Sequence, residues 1–155
     1  MNITSTAKQK WTTGGLLISL VAVFTAVSPY LADWNVTHIY NPAWPPHAKF
    51  HNAQTMVLGA LLGFLSIYCL WLRKEISEQQ KLNEATVLAS LYWLAQIPAK
   101  FFPGTALTDP GINSLKMPVI FGIEFNQSTV GITVIYPLIV LGYYLESRLL
   151  RRAKI

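Results

Sequence analysis

Asp, Glu, Lys and Arg are absent from three long stretches of this chain, between Trp11 and Ala32, between His51 and Leu72, and between Phe125 and Leu145. A helix rises about 1.5 Å per residue, so about 20 largely apolar residues cross a hydrocarbon core about 30 Å thick. Each stretch is long enough to do so. The whole chain of 155 residues is 12% charged, against roughly 25% in soluble domains. So small a chain has no interior large enough to hide three such segments from water. The expected fold class is therefore all-α, an integral membrane four-helix bundle, rather than a soluble domain.

The fourth helix comes from a shorter apolar run, Ala85 to Ala99, extended by Phe101 and Phe102 beyond Lys100. A lysine near a helix end reaches the interface with its ammonium while its stem stays in lipid. The spans are expected at about residues 11–31, 47–72, 84–102 and 126–149, as a single transmembrane domain. Between them run a loop over 32–46, a polar turn over 73–83 and a longer loop over 103–124. No repeat, low-complexity tract or soluble domain is present. Lys8 and Lys10 ahead of the first run resemble a signal peptide. The run is longer than a signal core, however, and Pro29 follows Ser28, so the segment is expected to be retained as the first span.

The net charge of +5 suggests nucleic acid only until the basic residues are placed. Lys8 and Lys10 precede the first span; Arg73, Lys74 and Lys81 lie between the second and third; Arg148, Arg151, Arg152 and Lys154 follow the fourth. With four spans all of these fall on one side, which the positive-inside rule makes cytoplasmic. Both termini are then inside, no nucleic-acid role is expected, and the protein is expected in the plasma (inner) membrane. The loops over 32–46 and 103–124 share the periplasmic or extracytoplasmic face, and Tyr30, Trp34, Tyr40 and Trp44 form an aromatic belt there.

All three histidines lie between Asp33 and Asn52. Pro45 and Pro46 fix the backbone just before the second span, where a missing N–H costs nothing. His47 and His51 then lie one helical turn apart on a shared face that Gln54 continues inward. Two imidazoles at this spacing can ligate one transition metal, with His38 and Asp33 from the loop completing the set. No sulfur ligand is near, so zinc, copper, iron and manganese all suit the nitrogen and oxygen donors. The same residues without metal form a general acid–base arrangement at the mouth of an apolar bundle, with Asp109 or Glu124 as a second carboxylate. The plainer alternatives are interfacial histidines bonded to loop carbonyls, and a Glu124 favoured by the dipole of the fourth helix.

Other polar features read as structural. Gln54 and Gln96 suit interhelical hydrogen bonds, and Gly59 with Gly63 suits close packing within the chain or in a homo-oligomer. Cys69, the one cysteine, cannot form an intrachain disulfide. Asn35-Val36-Thr37 is a glycosylation sequon, relevant in a eukaryotic source.

The run Asp33-Trp34-Asn35, Thr37-His38, Asn41-Pro42, Trp44-Pro45-Pro46-His47-Ala48, Phe50-His51 and Gln54 resembles the signature of an uncharacterised family of small four-helix integral membrane proteins found in bacteria and fungi. The resemblance implies that this loop is the site and assigns no reaction. In architecture alone the chain is similar to sterol-isomerase-like four-helix proteins, which bind lipophilic ligands in a bundle cavity.

Two functions are expected on these grounds. In the first, Asp33, His38, His47, His51 and Glu124 serve a lipophilic small molecule arriving from outside or from the bilayer, by metal binding or acid–base chemistry. In the second, the chain is a non-catalytic accessory subunit of a larger membrane complex, and its loop is a docking surface.

Overall fold

The computed structural model describes residues 11–107 and 118–153. Lys8, Lys10, Asp109 and Lys154, used in the charge and carboxylate arguments above, lie outside the described residues.

Four helices carry the fold. Helix α1, Thr13–Asp33, starts where the Thr12 hydroxyl accepts the Gly15 N–H, satisfying one of the free donors of the first turn. Helix α2, Pro46–Leu72, starts on the proline pair as expected and closes in a wide π turn, Tyr68–Leu72. Helix α3, Glu78–Ala99, starts six residues earlier than the apolar pattern implies, because Ser77 and Gln80 form a reciprocal capping box. Helix α4, Gln127–Arg152, is capped by Asn126, whose side-chain oxygen accepts from Ser128 and Thr129.

Helix α4 also contains a π turn, Gly131–Ile135, in which the Tyr136 N–H reaches back to the Gly131 carbonyl. Pro137 follows at once. It has no N–H to offer the preceding turn, which accounts for the break in the ordinary ladder there. Between α3 and α4 lies a feature not expected from the sequence. A two-stranded hairpin pairs β1, Val119–Ile120, with β2, Ile123–Glu124, across a turn in which Phe121 and Gly122 both have positive φ. That is the backbone of a tight hairpin turn.

Helices α1, α2 and α4 are long and apolar enough to cross a membrane. Helix α3 falls short, since its first two turns carry Glu78, Lys81 and Glu84.

Small residues set the distances between helices. A Cβ on Gly63 would sit 2.3 Å from the Ala22 carbonyl oxygen, and one on Gly59 would sit 2.9 Å from both Pro29 and the Thr25 carbonyl. The glycine pair of α2 is therefore used inside the chain, against α1. A Cβ on Gly14 would likewise lie 2.6 Å from the Glu146 nitrogen, so α1 and α4 also meet backbone to backbone. The core between them holds Ile18, Val21, Ala22, Leu82, Ala85, Ala89, Trp93, Ile135 and Ile139. Its polar members bond internally: Ser66 donates to the Ala85 carbonyl at 2.8 Å, and Trp93 donates to Thr25 at 2.8 Å.

The helices alternate in direction. At one end, Thr12 and the Gly15 N–H of α1 bond the Glu146 carboxylate of α4, while Arg73 after α2 pairs with Glu84 of α3. At the other end, Asp33 closing α1 meets Asn52 early in α2.

Candidate functional site

A cleft of about 340 Å³ opens at this second end, between α1, the last turns of α3 and the start of α4. One wall is aromatic. Phe24 and Trp93 stack with ring centroids 5.7 Å apart and planes 5° apart, and Tyr92 stands edge-on to Trp93 at 5.6 Å. The Trp93 ring is held in place by its bond to the buried Thr25 hydroxyl. Pro29, Leu31 and Val130 supply aliphatic surface, and Val130 immediately precedes the π turn of α4. The polar groups of the cleft are Ser28, Asp33, Gln96 and Gln127. The Gln96 amide oxygen is buried and has no hydrogen-bond partner.

Asp33 links the cleft to the loop. One of its carboxylate oxygens accepts the Asn52 amide at 2.8 Å, and the other lies 3.8 Å from His38 Nε2. Asn52 donates here, so its side-chain oxygen is an acceptor, and that oxygen is buried and unpartnered. The loop fixes the His38 tautomer through a chain of bonds. Asn35 donates its amide to the Ala32 carbonyl at 2.6 Å. Its side-chain oxygen then accepts both the Thr37 N–H, at 2.8 Å, and the Thr37 hydroxyl, at 2.5 Å. The Thr37 oxygen is left to accept from His38 Nδ1 at 2.7 Å. The neutral ring therefore carries its proton on Nδ1 and presents a bare Nε2 to Asp33. Trp44 packs edge-on against the same ring at 5.0 Å.

This network also accounts for the Asn35-Val36-Thr37 triplet without a glycan. Its asparagine amide is committed to the Ala32 carbonyl, and its threonine orients His38.

The histidine pair of α2 stands apart. His47 and His51 bring their Nε2 atoms within 3.0 Å, and His51 Nδ1 lies 3.2 Å from the Gln54 side-chain oxygen. All three residues are exposed. Asn52, by contrast, lies on the helix face that meets α1. At about 100° per residue, His47 and His51 point well away from it. Gln54 thus does not continue the histidine face inward, as the sequence reading had it; it continues an outward one. Among the described residues no group of three or more His, Cys, Asp and Glu side chains converges. The expected quartet of Asp33, His38, His47 and His51 is therefore divided into two pairs. Glu124 joins neither pair. It is exposed on β2, and the contact it makes is a backbone one, its carbonyl accepting from the Thr129 hydroxyl at 2.9 Å. The N-terminus of α4 is capped by Asn126 instead.

Sequence reasoning missed Asn52 and the aromatic wall. Asn52 lies five residues beyond His47 on the inward face of α2, a signal that helix geometry carries. The stacking of Phe24 on Trp93 depends on how α1 and α3 cross, and no local pattern encodes it.

Neither a curated protein nor a solved structure matches this chain. A family profile does, over residues 17–154, a stretch that includes the whole loop signature and all of the four helices but the first turn of α1. The chain belongs to that family, a family of unknown function (DUF6640).

Proposed function

We propose that this is a plasma-membrane protein crossing the bilayer four times, with both termini cytoplasmic, which receives a lipophilic small molecule in the cleft and exchanges a proton with it through Asp33 and His38. The membrane reading is supported by the exposed apolar surface. Leu16, Leu20, Val23 and Val27 on α1, Val57, Leu61 and Phe64 on α2, and Val140 and Leu141 on α4 all face outward. So much exposed apolar surface on a small chain needs a lipid or protein cover. Arg73, Lys74, Arg148, Arg151 and Arg152 gather at the end opposite the cleft, which the positive-inside rule assigns to the cytoplasm. The cleft then faces the periplasmic or extracytoplasmic side.

The observation that carries the chemistry is the bare His38 Nε2 facing a carboxylate that lines an apolar cleft. Asp33 is in reach of a bound molecule, and His38 behind it is one-third exposed, with a side-chain value of 31% against 19% for Asp33. A proton taken from the ligand by Asp33 can pass through one bridging water to His38 Nε2, 3.8 Å away, and on to outer water. His38 is a positioning and relay residue here, because it does not line the cleft. To test the reading, compounds retained by protein purified from membranes are extracted and identified by mass spectrometry. The wild type should hold one lipophile per chain, and both Ser28→Trp and Ala32→Phe, which fill the cleft, should lose it. Identical extracts from all three proteins would reject the site.

A second reading concerns the outward pair. The 3.0 Å separation of the two Nε2 atoms of His47 and His51 suits joint ligation of one zinc or copper ion at about 2.0 Å from each nitrogen. Calorimetric titration with zinc should show one site per chain that His51→Ala removes.

A further inference from the structure

At the loop end of the cleft several acceptors lack a matching donor. Asp33 is an acceptor when ionised, and its two oxygens already face Asn52 and His38. The Asn52 oxygen beside it is buried and has no donor. The Gln96 amide oxygen in the cleft is buried and has no donor. His38, with its proton held on Nδ1 by Thr37, adds a lone pair at Nε2. No lysine or arginine lines the cleft. A carboxylate and the unpaired Gln96 oxygen thus line an apolar slot, with the unpaired Asn52 oxygen and the His38 lone pair behind the carboxylate. A buried acceptor left unmatched costs roughly 1–3 kcal/mol, so such a cluster selects for a ligand that brings donors.

The rest of the cleft narrows the class. Phe24 and Asp33 are nine positions apart on α1, so the slot runs roughly 13 Å from aromatic wall to carboxylate at about 1.5 Å per residue. That length suits a single ring or short chain. The faces of Phe24 and Trp93, together with Tyr92, favour an aromatic or otherwise flat apolar body, and ring faces also favour a cation near them.

We infer that the occupant is a lipophilic amine, whose ammonium sits against Asp33 with its N–H groups directed to Gln96 and the Asn52 side, and whose apolar body lies along Phe24 and Trp93. An ammonium has three donors and a charge opposite to that of the carboxylate. A hydroxyl has one donor and no charge, and a carboxylic acid in its ionised form has neither donor nor the right sign. The inference rests on the cleft being a binding site, as proposed above, and adds the charge and donor character of what binds.

The test uses three water-soluble molecules of matched shape: phenylbutylamine, phenylbutanol and phenylbutyrate. Each is titrated calorimetrically into the purified full-length protein in a non-ionic maltoside detergent, with micelle-only blanks. The amine should bind tighter than the alcohol by roughly ten-fold, as one charge-assisted hydrogen bond implies, and tighter than the carboxylate by more. Asp33→Asn, which keeps shape and removes charge, should abolish the amine's advantage over the alcohol. Gln96→Leu should weaken the amine several-fold while circular dichroism stays unchanged. The comparison of the three ligands on the wild-type protein needs no variant, so it decides even if Asp33→Asn does not fold. Equal binding of all three would overturn the inference and leave the cleft standing as a lipophile site. No binding of any would overturn both. Displacement of the amine by short-chain phosphatidylethanolamine would reassign the ammonium to a lipid headgroup and overturn the assignment to a free amine.

Discussion

At the end of the bundle where α2 turns into α3, each buried or half-buried ionisable group has its partner. Glu146 accepts from Thr12 and the Gly15 N–H, Glu84 holds Arg73, and the buried Lys81 donates to Glu78 at 2.6 Å. At the opposite end, Asp33 faces a histidine lone pair, while the Asn52 and Gln96 oxygens are buried with nothing to accept. One chain thus pairs its ionisable groups at one end, where the buried Ser147 hydroxyl is left without a partner, and leaves two side-chain carbonyl oxygens unmatched at the other. The closed end binds helices together. The open end is poised for something that the chain does not itself contain, and buried unpaired groups of this kind are uncommon enough to demand a reason.

That contrast can be broken or sharpened by substitution. The largest effect belongs to neither end but to the contact joining α1 and α2. Gly63→Val would force its Cβ into the Ala22 carbonyl, 2.3 Å away. It should cost ~3 kcal/mol or more, visible as aggregation or a collapsed melting temperature in detergent. Next comes the closed end. Glu146→Ala removes the acceptor for the first turn of α1 and should cost ~1–2 kcal/mol, read by thermal melting. A melting temperature equal to the wild type would mean that this end is not the fastening it looks to be. Trp93→Phe keeps the aromatic wall but leaves the Thr25 hydroxyl without its donor. It should cost ~1 kcal/mol and loosen ligand binding modestly. At the open end, Asp33→Asn should change stability by less than ~1 kcal/mol yet remove discrimination among charged ligands. If it unfolds the protein instead, the open end is structural. His47→Ala, on the exposed face, should shift stability by no more than ~0.5 kcal/mol and leave amine binding intact.

Much of this architecture is legible in the sequence. The charge-free runs located α1, α2 and α4 within a few residues, because lipid-compatible length and composition are local properties. Helix α3 was misplaced at its start, since the Ser77–Gln80 box outweighs hydropathy there. It also ends before Phe101, where Pro98 and the turn after it take over. The hairpin over residues 119–124 escaped notice because two-residue strands leave no periodicity. The loop stands out in the sequence as a polar centre, but pooling its histidines as one set does not match the structure. Sequence proximity between His47, His51 and His38 hides the rotation of α2, which turns Asn52 inward and the histidine pair outward. The Gln96 amide was identified but read as interhelical glue; only the packing of α1 against α3 leaves it unpaired in a cleft.

The polarity of α3 bears on how such a protein is made. A segment carrying Glu78, Lys81, Glu84 and Gln96 partitions poorly into lipid by itself. Its apolar and small residues, Ala85, Ala89 and Trp93, are buried against the other helices. In the four-span topology proposed above, α3 would enter paired with α2, with the Arg73–Glu84 pair at their shared bend staying on the cytoplasmic side. On that proposal biogenesis and ligand recognition fall on the same helix: the residues that make α3 polar include the amide that lines the cleft.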